Sequence, residues 1–525
     1  MTRTRSNVLT FVLALLTLVA GVQSVAAQAP DLARLDAAIE QARKDWNVPG
    51  LAVAIVSDGT VVLANGYGVR EMGKPDAVDA DTLFAIASNT KAFTATAVSM
   101  LVDEGRLSLD DRVVAHLPTF RLYDPYVTHD IRIRDLLSHR SGLGTFSGDL
   151  LWYGTPYSRQ EVIRRAQHLK QAGPFRSRYG YQNIMFVAAG EVVAAVSGRT
   201  WDSFIKERLF DPLGMTRTIS TFADVQRAVN IATPHAGTYA PLGPYPWYSW
   251  DACGPAASIV SSANDMAKWI TAHLAGGVAG GTRLFSDAAQ RTMWTPHVAF
   301  ATDPNPAVPA ANVASSMRMP AHFRGYGLGF SVSDYRGRFV AEHGGAADGM
   351  FSHLTLVPEA RLGFVILTNS DTGLSSALSY VILDTYLGGD GRDWSRLFLE
   401  RAKRGLAQKQ QERERVEKAR LPGTSPSLPL NQYAGKYVST LYGDAVVSTL
   451  GGGLVLYLLP NPDMVADLTH WHLDTFELKW RRPFPWFGNG RAQFLTDHDG
   501  HVTELKLDVP NEDFWFSELE LKRAK

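Results

Sequence analysis

The sequence predicts an α+β fold: an antiparallel sheet flanked by helices plus a helical lobe, followed by a small all-β barrel-like domain. Three observations predict it. Strand-like runs near residues 51–64 and again near 330–368 bracket a middle, roughly 110–290, that reads as helices and loops. A charged stretch and a breaker-rich hinge then interrupt the chain, and short alternating segments separated by Gly and Asn/Asp turns follow. The length, 525 residues of which 45% are hydrophobic, exceeds one ordinary domain and supplies ample core.

Taken in order, the first residues stand apart. Arg3 and Arg5 precede the apolar run Val8 to Val19, and Val25-Ala26-Ala27 closes it with small residues. That is the pattern of a secretory signal peptide cleaved after Ala27. The expected organisation is signal peptide 1–27, a main body 28–395, a charged then Pro-rich linker 396–429 and a β domain 430–525. No later stretch reaches spanning length without charge, so no stable membrane span is expected after cleavage, and the expected location is periplasmic or secreted.

Asp31 to Trp46 carries Leu32, Leu35, Ile39 and Ala42 at helical spacing. Leu51 to Val56 has the composition of a buried strand and turns through Ser57-Asp58-Gly59-Thr60 into Val61 to Ala64, a hairpin. A helix begins near Ser88 and runs to about Glu104. Phe330 to Ser333 with Arg338 to Glu342, and Phe351 to Val357 with Leu362 to Thr368, make two further strand pairs. Residues 400–420 read as a solvated helix or linker, and Leu421 to Pro429 as a hinge. Val446 to Leu450, Leu454 to Leu458 and His501 to Leu507 are strands of the final barrel.

Composition narrows the function. The 52 basic and 52 acidic residues cancel, which argues against a nucleic-acid partner. The single cysteine, Cys253, allows neither an intrachain disulfide nor a thiolate zinc site. His470 and His472 alternate on an expected strand but lack a third ligand. The expected partner is a small-molecule or short-peptide substrate, with no cofactor and no metal. The oligomeric state is not legible.

The chemistry concentrates at Ser88-Asn89-Thr90-Lys91. Residues three apart on a helix share a face, so Lys91 can reach the Ser88 hydroxyl. A serine is a poor nucleophile until a base takes its proton, and a lysine can be that base once burial lowers its pKa. Ser203-Phe-Ile-Lys206 matches the same pattern, but Trp201, Phe204, Ile205 and Leu209 form the apolar face there and leave the pair on the solvated side. Ser88 instead enters the apolar helix Ala92 to Val102. Tyr181-Gln182-Asn183 precedes another apolar helix start; its phenol can shuttle a proton and its amide can bind a substrate carbonyl. His343-Gly344-Gly345 follows a strand, where glycines allow a substrate backbone to come close. The competing His235-Ala-Gly237 lies in a loop without a preceding strand. Tyr245, Trp247 and Trp250 sit in an aromatic loop that can wall a cleft.

Ser-x-x-Lys, Tyr-x-Asn and His-x-Gly in this order resemble the serine β-lactamase and penicillin-binding-protein superfamily, and most closely its class C β-lactamase-related branch of peptidases, amidases and esterases. Ile133-Arg-Asp-Leu-Leu-Ser-His-Arg-Ser-Gly-Leu143, Pro212-Leu-Gly-Met215 and Tyr326-Gly-Leu-Gly-Phe330 are similar to that branch too. The tail resembles a lipocalin-like domain. The resemblance implies a β-lactamase/transpeptidase-like fold, Ser88 as the acylated nucleophile, and Lys91 and Tyr181 sharing base and acid roles. It implies Asn183, His343 and Gly345 lining the site, and an oxyanion hole from the N–H groups of Ser88 and Ala346. His343 stands where true β-lactamases carry lysine, so strong β-lactamase activity is not expected. The expected activity is an exported amidase or peptidase. A carboxylesterase or weak β-lactamase, and a non-catalytic penicillin-binding-like module, are the alternatives.

Overall fold

The computed structural model of the chain describes residues 30–239, 241–301 and 321–525, and the expected signal peptide lies outside them. The first helix, Leu32–Asp45, is capped by Asp31, whose side chain accepts the Arg34 N–H. It ends in Arg43 and Lys44, cations that suit the negative end of the helix dipole.

This helix covers an eight-stranded sheet. The strand order is Thr60–Gly68, Gly50–Ser57, Leu362–Thr368, Met350–Val357, Arg338–Ala347, Ser331–Tyr335, Arg324–Tyr326, Val298–Ala299, and every pairing is antiparallel. The N-terminal hairpin lies beside the late strands, with Leu51 opposite Thr368 and Ser57 opposite Leu362. That closure explains the unbroken apolar run of Leu51 to Val56. Ala52, Ala54 and Val56 face the helical lobe, while Leu51, Val53 and Ile55 face the layer that holds Leu32–Asp45 and Leu374–Leu387. A strand buried on both faces has no polar side to show.

Three helices of the lobe converge behind the sheet: Thr90–Asp103, Asn183–Ser197 and Gly254–Ala257. Thr90–Asp103 is buried almost all round. Phe93 on it stacks on Trp269 at 3.8 Å, and Thr94 Oγ1 donates to the Pro255 carbonyl at 2.6 Å. Gly190 is a close-approach glycine, since a Cβ there would overlap the Pro255 ring.

The charged stretch forms the exposed helix Trp394–Lys418, of which only Trp394 is buried. A closed eight-stranded barrel follows, from Gly435–Ser439 to Leu521–Arg523, shut by Tyr437 opposite Arg523. Aromatic rings fill its interior: Tyr433 lies 5.4 Å from Phe476 and 4.9 Å from Phe494. The barrel is joined to the main body by a continuous apolar cluster. Tyr153 of the main body meets Phe514 of the barrel at 4.6 Å and Phe487 at 6.3 Å. His470 donates to the Leu473 carbonyl, and His472 accepts the Leu421 N–H, so both imidazoles are engaged locally. No single helix among the described residues is long and apolar enough to cross a membrane.

Gly190→Ala forces Pro255 and its helix outward, and overpacking of this kind costs about 1–3 kcal/mol. The expected result is a lowered melting temperature together with slower catalysis, because Gly254–Ala257 also holds a group of the site described next. Thermal unfolding and turnover measured on one preparation check both, and an unchanged melting temperature counts against this packing.

Candidate active site

Ser88 lies in the turn Ala87–Asn89 that opens the helix Thr90–Asp103. Ala87, just before it, has φ of 47°, a left-handed backbone that costs a non-glycine residue about 1–2 kcal/mol. Neighbours hold the strain. Ser352 Oγ donates to the Ile86 carbonyl at 2.7 Å and accepts from Asn89 Nδ2 at 2.8 Å. Ser88 is left half-buried while the residues on both sides of it are fully buried.

Lys91 is wholly buried. Its Nζ lies 3.1 Å from Ser88 Oγ, 2.7 Å from Asn183 Oδ1 and 3.1 Å from the Ala256 carbonyl. The last two can only accept. A neutral amine has two N–H groups and one lone pair; the two acceptors take the N–H groups, and the lone pair is left for the Ser88 proton. Burial pulls the Lys91 ammonium down to about 7, while the charge of Asp149 opposes the fall. Cys253 is close by, but burial pushes its thiol up, so it stays neutral and acts as a bystander.

Asp149 is the member of the site that sequence reasoning missed. Its Oδ1 accepts Trp152 Nε1–H at 2.9 Å and its Oδ2 accepts Asn183 Nδ2–H at 2.6 Å. Burial raises its carboxyl to about 8 against those two bonds. Asp149 thereby fixes which way the Asn183 amide points, and Asn183 fixes the Lys91 amine. The Asn183 oxygen is taken by Lys91 and one of its two N–H groups by Asp149, so the amide links the carboxyl to the amine and keeps a second N–H. Asp149 and Lys91 titrate as one linked pair.

Tyr181 completes the core of the site. Lys91 Nζ sits 4.6 Å from the centre of its ring, and its phenol is a near neighbour of Ser88. Burial holds the phenol well above its ordinary range, so it is a neutral proton carrier. Its backbone is pinned by the Phe146 N–H, which donates to the Tyr181 carbonyl at 2.8 Å. The Gln182 N–H donates to His139 Nδ1 at 2.9 Å.

His343 is buried at the far side of Tyr181, with the two rings 6.2 Å apart. The Gly344 carbonyl at 2.6 Å can only accept, so Nδ1 carries the proton and Nε2 accepts the Tyr326 hydroxyl at 3.0 Å. Burial first, and then the Lys91 charge, push His343 down to about 3, so it is a neutral imidazole. It supplies no positive charge for a substrate carboxylate. Gly345 has a different task from the one its motif suggests. A Cβ there would overlap the Ile86 carbonyl oxygen and Ser352 Oγ, so this glycine lets the strand approach the nucleophile turn. Gly344 is the exposed one. The strand Ser331–Tyr335 pairs only as far as Glu342, so the segment from His343 through Ala346 to Ala347 has an unpaired backbone edge.

The aromatic loop divides. Trp250 Nε1 donates to Asp348 Oδ2 at 2.8 Å, and its ring lies 4.9 Å from Trp152. Trp247 donates to the Ala232 carbonyl and, with Trp250, lines a cavity of about 30 Å³ beside Ala347. Tyr245 is buried and turned to the barrel, where Arg482 lies 5.6 Å from its ring centre. Asp348, buried just past the motif strand, accepts three side-chain donors: Trp250, Tyr153 at 2.8 Å and Trp486 of the barrel at 2.8 Å. The remaining sequence matches are structural. Lys206 pairs with Asp211 on an exposed face, and His235 is spent on the Met72 N–H and the Asn369 carbonyl.

A serine in a strained turn, a buried lysine and a tyrosine on this sheet-and-lobe fold define a serine hydrolase of the β-lactamase and penicillin-binding-protein superfamily. The chain belongs to the β-lactamase family, whose model matches residues 35–386. A domain of unknown function (DUF3471) matches residues 419–523. The unguisins hydrolase of Aspergillus campestris is 28% identical over 442 residues, covering 77% of this chain and 75% of that protein. Penicillin-binding protein 4 of Amycolatopsis lactamdurans is 32% identical over 340 residues, covering 63% of this chain and 84% of the relative. Among solved structures, the octameric penicillin-binding protein homologue from Pyrococcus abyssi superposes with a TM-score of 0.60 at 21% identity, covering 91% of this chain and 98% of that one. The D-amino acid amidase from Ochrobactrum anthropi SV3, complexed with L-phenylalanine amide, gives a TM-score of 0.53 at 22% identity over 70% of this chain and 99% of that one.

Two substitutions check the geometry. Gly345→Ala displaces the nucleophile turn, so labelling of Ser88 by a fluorophosphonate slows tenfold or more; labelling at the parent rate contradicts the close approach. Asp149→Asn removes the ionisable partner that, once charged, raises the Lys91 pKa. A base must be neutral to work, so the acid limb of the labelling profile moves to lower pH, and movement to higher pH counts against the relay.

Proposed function

We propose that the chain is an exported serine hydrolase that cleaves an amide or peptide bond of a small or linear peptide through an acyl-enzyme on Ser88. One observation carries the reading: the buried Lys91 Nζ lies within hydrogen-bonding distance of two pure acceptors, Asn183 Oδ1 and the Ala256 carbonyl, and of Ser88 Oγ.

The reaction follows from that wiring. Ser88 Oγ attacks the substrate carbonyl as Lys91 takes the hydroxyl proton. The oxyanion lies between the N–H groups of Ser88 and Ala346, on the open strand edge. The Tyr181 phenol gives its proton to the leaving amine and takes one from the Lys91 ammonium. Water then attacks the Ser88 ester, its proton passes through Tyr181 to Lys91, and Lys91 gives that proton to the Ser88 oxygen as the acid product leaves. The charged form of Lys91 that the step produces lies over the face of the Tyr181 ring, which favours a cation.

Two supports favour an amide substrate. Relatives include a hydrolase of unguisins and an amino acid amidase. The neutral His343 offers no cation for the carboxylate that a β-lactam or a carboxyl-terminated peptide carries. Export rests on the basic, apolar and small-residue succession of residues 1–27.

The test is a panel of D- and L-aminoacyl amides, short linear peptides, nitrophenyl esters and a chromogenic cephalosporin, with the parent protein and Ser88→Ala. Amide turnover that falls roughly a thousandfold or more in Ser88→Ala, with the fold retained, is expected. Turnover of esters alone assigns a carboxylesterase. Stable labelling without turnover of any member assigns a binding module.

A further inference from the structure

A proton path through Tyr181 works only if the phenol keeps one position beside Ser88 and Lys91. His139 meets the Tyr181 segment in three ways. Its carbonyl accepts the Gly180 N–H at 3.0 Å. Its Nδ1 accepts the Gln182 N–H at 2.9 Å. Its ring lies 4.3 Å from the Tyr181 ring at a tilt of 31°. The residues on both sides of Tyr181, and the phenol ring between them, therefore rest on one residue.

The chain accepts two unfavourable features to put a histidine there. His139 has φ of 59°, a left-handed backbone that glycine or asparagine adopts more easily. Its imidazole is fully buried, and Nε2 has no hydrogen-bond partner among the described residues. An apolar ring would fill the same space without a stranded polar atom, so packing alone does not call for an imidazole. What the imidazole adds is an acceptor. The Gln182 N–H can only donate, so Nδ1 is unprotonated, and burial keeps the ring neutral. The loop that carries it is braced. Arg140 donates to Asp135 Oδ1 at 2.8 Å, and Arg176, whose N–H donates to the Arg140 carbonyl at 3.1 Å, bonds the same carboxylate at 2.7 Å. The His139 ring also lies 4.7 Å from that of Tyr326, whose hydroxyl donates to His343.

We propose that His139 is a positioning residue for Tyr181: by accepting the Gln182 N–H and backing the phenol ring, it fixes the place from which Tyr181 passes protons. This rests on the acyl-enzyme reading of Ser88, in which the proton of the attacking water runs through Tyr181. His139 acts through the phenol, so its loss slows the steps that use the phenol proton and spares those that do not. Nitrophenolate leaves without a proton, so acetylation of Ser88 by p-nitrophenyl acetate draws on Lys91, whereas hydrolysis of the acetyl-enzyme draws on Tyr181 as well. A general loosening of the site slows both.

The experiment follows the nitrophenolate burst, which reports acetylation, and the decay of the acetyl-enzyme by mass spectrometry, in the full-length protein. The variants are His139→Gly and His139→Asn, each alone and with Tyr181→Phe. Glycine and asparagine both suit the left-handed backbone, and asparagine keeps an acceptor oxygen near the place of Nδ1. His139→Gly is expected to slow the decay roughly tenfold or more while changing acetylation by no more than about threefold, and His139→Asn to recover part of the loss. In the Tyr181→Phe background, His139→Gly is expected to add less than about twofold. Equal slowing of both phases overturns the proposal, as does an effect that persists in full without the phenol hydroxyl, or a His139→Asn variant no better than His139→Gly. If Ser88 takes up no acetyl group, the acyl-enzyme reading fails by itself. The Tyr181 ¹³Cζ resonance, assigned by its loss in Tyr181→Phe, then decides the role of His139. It is expected to be single and sharp in the parent and in His139→Asn, and to split or broaden in His139→Gly; a single sharp resonance in His139→Gly overturns the proposal.

Discussion

The structure turns on one constraint: a lysine amine with no access to water must satisfy every hydrogen it carries. Inside the lobe Lys91 finds two pure acceptors and one hydroxyl. As an ammonium it can donate to all three, but burial opposes the charge. As an amine it donates to two and accepts from the third. The site sits close to the balance between these forms, and that balance makes the serine nucleophilic. Much of the surrounding architecture serves to keep the two acceptors in place. Asp149 orients one of them, and the packing of Pro255 against Gly190 and Thr94 positions the other.

The second layer of the design is the approach of the sheet to the nucleophile turn. Gly345 lets the motif strand touch Ile86, and Ser352 and Asn89 lock the turn, so Ala87 is held in its strained backbone. Strain at such a site persists only where neighbours over-determine it. The barrel then reads the end of the same strand. Tyr153, Trp250 and Trp486 reach Asp348 from three separate segments, one of them in the barrel. The two domains share one apolar cluster.

What was legible in the sequence was local or periodic. The double-faced strand Leu51 to Val56, the serine and lysine one turn apart, and the glycine after the motif histidine each leave a mark within a few residues. The eight-stranded closure of the tail could be read as a class, from alternation and turns, but not in its register. Asp149 left no such mark: its partners Asn183 and Lys91 are 34 and 58 positions away, and a carboxylate before Leu150-Leu151 looks like any helix start. Tyr245 looked like a cleft residue because aromatic loops often are, yet its environment was decided by Arg482 in the other domain. Asn183 could be placed beside the site, but its link from Asp149 to Lys91 could not, since hydrogen-bond direction depends on a neighbour that sequence spacing does not show. Asp348 and Trp486 belong to an interface, and interfaces are written in two distant stretches at once.

The most direct test of the account is the ionisation of Lys91 itself. In protein labelled with ¹³C at the lysine Cε, one resonance is expected to titrate with a midpoint of about 7 and to vanish in Lys91→Arg. A Lys91 resonance that titrates with the others, or stays charged through pH 9, would contradict the claim that a buried neutral amine is the base that activates Ser88.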